Sequence, residues 1–256
     1  MTEMQVDINA DAGESYGAWP MGRDHELFPF LSSVNLACGF HAGDPLTMQR
    51  TVALAREHGV AVGAHPGYPD RVGFGRRDLA AGADELYADT LYQIGALQAF
   101  VQTGGLRLSH VKPHGALYLR MLRDEVTARA VAEAVKAYDP GLPFFVLSGS
   151  LMERVARELG LPVVLEVFPD RAYLSDGRLA GRDLAGSVIR DPAEAARRAV
   201  MMVTQGRVQA LDGGWVELQA ETLCIHGDNP EAPDIARTVR QALEAEGVRV
   251  RAHSQR

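Results

Sequence analysis

Cysteine is scarce in this chain of 256 residues: Cys38 and Cys224 are the only two. No disulfide framework can be built from so few, and reduced thiols in a cytoplasmic protein are expected. Lysine is equally rare, with Lys112 and Lys136 alone among the 26 basic residues and arginine supplying the rest. Neither lysine follows a glycine, so the G-x-x-x-x-G-K-[ST] phosphate loop is absent. The H-E-x-x-H zinc helix, the G-x-S-x-G nucleophile elbow and the G-x-G-x-x-G dinucleotide fingerprint are missing too. No apolar run is long enough to cross a bilayer and no basic–apolar leader opens the chain, so no membrane association is expected. Basic charge is also short: 26 Lys and Arg face 33 Asp and Glu, a net charge of −7. That balance carries no footprint for nucleic acid.

What is present is an ordinary globular composition, 46% hydrophobic and 23% charged, ample for a buried core. Short β-like runs fall at 4–9, 34–38, 60–65, 107–112, 143–147, 162–168 and 222–227, with VRVRA (248–252) as a candidate eighth. Helical stretches alternate with them. Ser150 and Glu153 form a capping box before an apolar stripe that Gly160 ends. Asp191-Pro192 and Asn229-Pro230 read as N-caps with proline at the first helical position. Residues 47–58 and 90–101 read as two more helices, and 207–218 as a hairpin around Asp212-Gly213. Strand–helix alternation without a linker or repeat predicts a single α/β domain over 1–256 with parallel strands. Seven or eight units favour a closed TIM-like (β/α) barrel; an open doubly wound sheet is the alternative.

Parity sharpens this picture. In HVKPHGALY (110–118), His110, Lys112 and His114 occupy alternate positions and would share one face of an extended segment. Val6, Ile8 and Ala10 likewise oppose Asp7, Asn9 and Asp11; Leu36 and Cys38 oppose Asn35 and His41; Leu223 and Ile225 oppose Cys224, His226 and Asp228. Branched residues would pack on outer helices while polar ones fill the interior and crowd the C-terminal mouth, where barrel active sites lie. Each polar residue also has a structural reading. Asp7 serves equally well as a hydrogen-bonded interior residue. Asn9, Asp11 and Glu14 could cap a turn at Gly13, and His110 lies deep enough to be core. Cys38 faces the helices, and Cys224 faces inward below the mouth. His41, His65, His114 and His226, at the ends of four strands, are harder to explain structurally as a set. Lys112 is expected at the mouth outside the packed layers, where its removal would cost little stability.

Carboxylates, imidazoles and one lysine at a barrel mouth suit hydrolysis or phosphoryl chemistry on a small polar substrate. The stretches DINADAGES, VNLACGFHAGDP, GVAVGAHPGYPD, GFGRRDL, LYQIGAL, HVKPHGALY, EVFPDR and CIHGD resemble, in order, the LamB/YcsF family. The similarity runs from about residue 5 to about residue 247. GRDLAGS (181–187) departs from the family's Arg-Ser-Gln-Pro-Gly-like loop, which leaves Arg182 undecided as a ligand, and Pro169 stands where alanine is common. The resemblance implies a barrel akin to the glycoside hydrolase/deacetylase superfamily. It also implies ATP-dependent opening of 5-oxoproline to glutamate by a complex with two other subunits, with ATP as co-substrate alongside magnesium; whether a metal is held tightly by Asp11, His41 and His65 is left open. On that basis Lys112 would stabilise the phosphorylated lactam oxygen, His114 or His65 would move protons, and Asp11 would orient the reactants. Asn9, Glu14, Asn35, His41, Glu166, His226 and Asp228 form the expected substrate- or nucleotide-binding set. Two rivals stand beside this: a self-sufficient deacetylase or amidohydrolase with metal on Asp11, His41 and His65, and a noncatalytic binding subunit.

Overall fold

The computed structural model describes residues 4–255; the single-domain expectation for 1–256 also covers residues 1–3 and 256, which lie outside the described residues. In chain order the elements begin with β1 (Gln5–Ala12), α1 (Asp24–Leu27), β2 (Ser33–Ala37), α2 (Pro45–His58), β3 (Ala61–His65) and α3 (Ala83–Thr103). Next come β4 (Leu108–Val111), α4 (Gly115–Met121), α5 (Glu125–Tyr138), β5 (Phe144–Leu147), α6 (Leu151–Glu158) and β6 (Val163–Val167). The chain then runs through α7 (Pro192–Gln205), β7 (Arg207–Gln209), β8 (Trp215–Glu217), β9 (Thr222–Ile225), α8 (Ala232–Ala245) and β10 (Arg249–Val250).

Seven parallel strands close into a barrel in the order β1-β2-β3-β4-β5-β6-β9, with β9 pairing back onto β1. That closure rules out the open sheet. The eighth run does form a strand, yet β10 pairs only with Gln5 and Val6 at the start of β1 and stays outside the ring. Val6, Ile8, Val34, Leu36, Leu223 and Ile225 are buried in the hydrophobic cluster, as the alternation requires of outward-facing residues covered by helices.

Local signals account for most of the helix ends. Asp44 accepts from the backbone N–H groups of Leu46 and Thr47 ahead of α2, and Gly59 ends that helix in the left-handed region. Ser150 and Asp191 cap α6 and α7 in the same way, each cap being worth about 1 kcal/mol. Two expectations need correction. Asn229 does not cap α8: its Oδ1 accepts from the Glu231 N–H at 3.2 Å, a local turn, and the helix starts at Ala232. The helix foreseen over 90–101 extends to Ala83–Thr103. The helical segment that alternation requires between the fourth and fifth strands is supplied by α4 and α5, neither of which was delimited from the sequence. The hairpin is as expected, with β7 and β8 antiparallel and Arg207 opposite Glu217.

Candidate active site

The barrel interior is a ladder of polar residues rising from floor to mouth. At the bottom Asp7 accepts from the hydroxyls of Ser32, Ser33 and Thr222 at 2.5, 2.7 and 2.7 Å, which makes it a structural node. Above it, Asn9 Nδ2 donates to Thr222 Oγ1 at 2.7 Å and to Glu166 Oε1 at 3.3 Å. Asn9 Oδ1 accepts from Asn35 Nδ2, which also donates to Asp11 Oδ1 at 2.9 Å. His110 Nε2 donates to Asn35 Oδ1 at 2.7 Å, and its ring stacks on Phe145. His110 is therefore the core histidine that its depth suggested.

Parity holds for His110, Lys112 and His114, although β4 ends at Val111 and α4 begins at Gly115. Lys112 Nζ donates to Asp11 Oδ1 at 2.6 Å and lies 4.0 Å from Glu166 Oε1. Tyr118 donates its hydroxyl to Glu166 Oε2 at 3.0 Å. Lys112 is not outside the packed layers: it is 3% exposed, enclosed by the carboxylates it neutralises. Asn9 and Asn35, expected to touch ligand, are wholly buried and spend their amides inside the barrel. They position Glu166 and Asp11 instead. Glu166 is itself beneath the cavity lining.

Burial raises the Asp11 carboxyl, but His65 and Lys112 outweigh that and hold it well below the usual range. His65 is kept neutral by desolvation, so Lys112 carries the counter-charge. Burial likewise works against the Lys112 ammonium, and Asp11 and Glu166 reverse it, keeping the amine protonated. Glu166 is pushed up to about 7 by burial, helped by Asp11 and opposed by Lys112, Tyr118 and Asn9.

A second cluster lies beside Asp11. His65 Nδ1 donates to the Lys112 carbonyl at 2.6 Å, and His114 Nε2 to the Phe74 carbonyl at 2.8 Å. Their other ring nitrogens, His65 Nε2 and His114 Nδ1, face each other at 2.9 Å. His41 stacks on His114 with ring centroids 3.8 Å apart. Glu14 Oε1 is 3.5 Å from His41 Nε2 and 3.7 Å from His114 Nδ1. Desolvation first, then Asp11 and Asp228, raises the Glu14 carboxyl well above its usual range. The segment that supplies the Phe74 carbonyl folds tightly over the mouth. Phe74 has φ of 55°, a left-handed conformation rare for a bulky residue. Gly75 follows at φ 63°, where a Cβ would press into His41 and His114.

Between these groups and solvent is a cavity of about 290 Å³. Asp11, Lys112, His114 and His226 reach it from the barrel, and Arg76, Arg171 and Arg182 from the loops. His226 is the best-placed proton carrier. Its backbone N–H donates to Asp170 Oδ2 at 3.0 Å and its Nδ1 to the same oxygen at 2.9 Å, leaving Nε2 free on a cavity-lining ring. Phe168 packs against that ring. Asp228, expected to orient ligand, is held by Arg76 at 2.7 Å. Arg171 donates to the carbonyls of Ser187 and Ala180, tying down the loop that carries Arg182. Arg182 itself makes no hydrogen bond or ion pair with the described residues and lines the cavity, so its charge is available to a ligand.

Of the expected proton carriers, His65 is fully buried and off the cavity lining, while His114 reaches it. Arg76, Asp170 and Tyr118 were not singled out from sequence, although GFGRRDL, EVFPDR and HVKPHGALY contain them. Both cysteines are buried, and desolvation pushes Cys38 up to about 12 and Cys224 well above its ordinary value. Neither has nucleophile character. A larger groove of about 970 Å³ beside α2 contains none of the barrel's inward-facing groups.

A seven-stranded parallel barrel with charged groups converging on its mouth defines the class. The particular family follows from comparison: the LamB/YcsF family model matches residues 6–256, and the chain belongs to that family. It is 64% identical over 249 residues to the A subunit of 5-oxoprolinase from Thermus thermophilus, covering 97% of this chain and 100% of that protein. It is 53% identical over 247 residues to the protein of the same name in Syntrophobacter fumaroxidans, covering 96% and 98%. The crystal structure of a lactam utilization protein, also from Thermus thermophilus, superposes with TM-score 0.94 at 63% identity, covering 97% of this chain and all of that one. A peptidoglycan deacetylase, PdaC of Bacillus subtilis, shares the fold alone, at TM-score 0.50 and 13% identity over 99% of this chain and 90% of that one. Among the described residues no helix is long and apolar enough to cross a membrane.

Proposed function

We propose that this chain is the A subunit of an ATP-dependent 5-oxoprolinase, opening 5-oxo-L-proline to L-glutamate together with two partner subunits. The observation that carries the reading is the shared cavity of Lys112 and the Asp170-backed His226, sized for an amino acid and ringed by arginines. The names of its relatives favour a lactam as the occupant. A five-membered lactam is a stabilised amide whose opened amine can reclose, so hydrolysis needs an external drive. Phosphoryl transfer from ATP to the lactam oxygen makes the ring carbon open to water.

In this reading Arg182, the cavity cation without a partner among the described residues, takes the substrate carboxylate. Lys112 sits against the developing negative oxygen, where a buried, already protonated ammonium needs no reorganisation. His226 Nε2 removes a proton from the attacking water while Asp170 holds the ring in the required tautomer. Opening the C–N bond puts a proton on the ring nitrogen, which the imidazolium formed at His226 supplies, and leaves γ-glutamyl phosphate, whose hydrolysis by a second water releases glutamate and phosphate. The cavity is too small to enclose a whole nucleotide as well, and the sequence has no phosphate loop. ATP and its magnesium therefore belong to a site completed by the partner subunits.

The test is 5-oxoproline-dependent release of phosphate and glutamate by the assembled three-subunit complex. Coupled turnover that fails when this chain is omitted, or when it carries Arg182→Ala or His226→Gln, is the expected result. Full turnover by this chain alone without ATP would overturn the reading in favour of a self-sufficient hydrolase. Unchanged turnover with both variants would overturn it in favour of a noncatalytic role.

A further inference from the structure

We propose that Glu14, His41, His65 and His114 form a binding site for one divalent transition metal ion of the zinc type, next to the reaction cavity. One donor atom from each of these residues falls within 4.8 Å of all the others, and all four residues are buried, at 5%, 1%, 0% and 3% exposure.

Tautomer logic gives the strongest support. A carbonyl oxygen only accepts, so the Lys112 and Phe74 carbonyls require hydrogens on His65 Nδ1 and His114 Nε2. The neutral rings then present two lone pairs to each other, His65 Nε2 and His114 Nδ1, at 2.9 Å. Two acceptors at that distance repel unless a positive centre lies between or beside them. A proton shared by this pair would settle those two atoms alone. It would leave Glu14 Oε1 and both nitrogens of His41 as they are, buried and without a hydrogen-bond partner. Orphaned buried polar atoms are rare, and three in one cluster point to a missing ligand. A metal ion takes Glu14 Oε1, one nitrogen of His41 and the facing nitrogens of His65 and His114 together, and the second His41 nitrogen is left outside the coordination.

The donor set narrows the metal. Three imidazoles and one carboxylate suit zinc, cobalt or nickel, and supply too few oxygens for calcium or magnesium. The surroundings fit as well, because a metal-bound histidine ordinarily donates its other ring N–H to a carbonyl or carboxylate, as His65 and His114 do. Asp11, the carboxylate expected from sequence to share a metal with His41 and His65, gives Oδ1 to Lys112 and Asn35, keeps Oδ2 3.3 Å from His65 Nε2, and is not among the four residues whose donor atoms converge. Glu14 takes that place. His41 stacks face to face on His114, so binding requires the His41 ring to turn, and no hydrogen bond holds it back. The proposal involves no nucleotide and no other protein chain, and it stands or falls apart from the lactam reading.

The experiment uses the purified chain, stripped with a chelator and titrated with Zn²⁺ or Co²⁺ alone. Calorimetry is expected to show saturable binding of one ion per chain, accompanied by a rise in Tm. The cobalt form is expected to show the strong visible bands of a four-coordinate site, and X-ray absorption the scattering signature of imidazole ligands. Glu14→Gln and His114→Gln, shown to be folded by circular dichroism, are expected to lose the saturable phase. No saturable binding to the folded wild-type chain would overturn the site. So would undiminished binding by a folded variant. If the variants do not fold, the wild-type X-ray absorption spectrum decides, and the absence of imidazole scattering would refute the assignment.

Discussion

Lys112 Nζ and Asp11 Oδ1 meet at 2.6 Å in an interior where the two residues are 3% and 7% exposed. Lys112→Met would leave Asp11 as a buried carboxylate without its ammonium. Breaking one partner of such a pair costs about 3–5 kcal/mol, against the small loss expected of a lysine outside the packed layers. Urea unfolding of Lys112→Met, Asp11→Asn and the double variant measures this. The double variant is expected to recover a large part of the stability that Lys112→Met loses. Turnover of the complex with a folded Lys112→Met is expected to fall roughly a hundredfold or more.

The Asp170–His226 pair separates positioning from proton transfer. His226→Gln removes the free nitrogen that lines the cavity, and a loss of about 10²–10⁴ in kcat is expected. Asp170→Asn keeps the imidazole but weakens its hold on the Nδ1 tautomer, so a smaller loss is expected, with a changed pH dependence of kcat. Equal effects of the two variants on KM with kcat untouched would show that the pair serves binding alone.

Glu166 sets a pH dependence of stability. Its carboxyl stands at about 7 in the fold, above the ordinary glutamate value, chiefly through burial. Between about 4.3, the unfolded value, and about 7 the folded chain holds more protons than the unfolded one. The stability that Glu166 contributes is therefore complete below about 4.3 and lost as pH rises through about 7. His110, driven down to about 3 by burial, acts in the opposite direction, contributing stability above its unfolded value that is lost as pH falls towards about 3. Denaturant midpoints from pH 5 to 8 are expected to show Glu166→Gln gaining on wild type as pH rises. Parallel curves would contradict the assignment.

Gly63 faces the ring of His110 so closely that a Cβ would overlap its imidazole. Gly63→Ala must displace His110, and with it the hydrogen bond to Asn35 that helps position Asp11. Overpacking of this kind costs about 1–3 kcal/mol. Thermal unfolding checks the stability, and turnover of the folded variant checks whether the disturbance reaches Asp11.

Period and spacing in the sequence determined the strand–helix alternation, the face on which each barrel residue lies, and the inward set Asp7, Asn9, Asp11, His110 and Lys112. Those are local properties, because alternate residues of a strand point to opposite sides whatever the strand pairs with. Closure was a tertiary matter: whether β9 or β10 completes the ring depends on pairing to β1, more than 200 residues earlier. The division of labour among the polar groups was tertiary as well. Asn9 and Asn35 look like ligand-binding amides until their partners are known, and those partners include Thr222 and His110, 213 and 75 residues away. Asp170 gains its importance from His226, 56 residues on, and Asp228 surrenders its charge to Arg76, 152 residues back. A buried polar group must find a partner somewhere in the fold, and only the folded chain decides which groups are spent on one another and which are left to face the cavity.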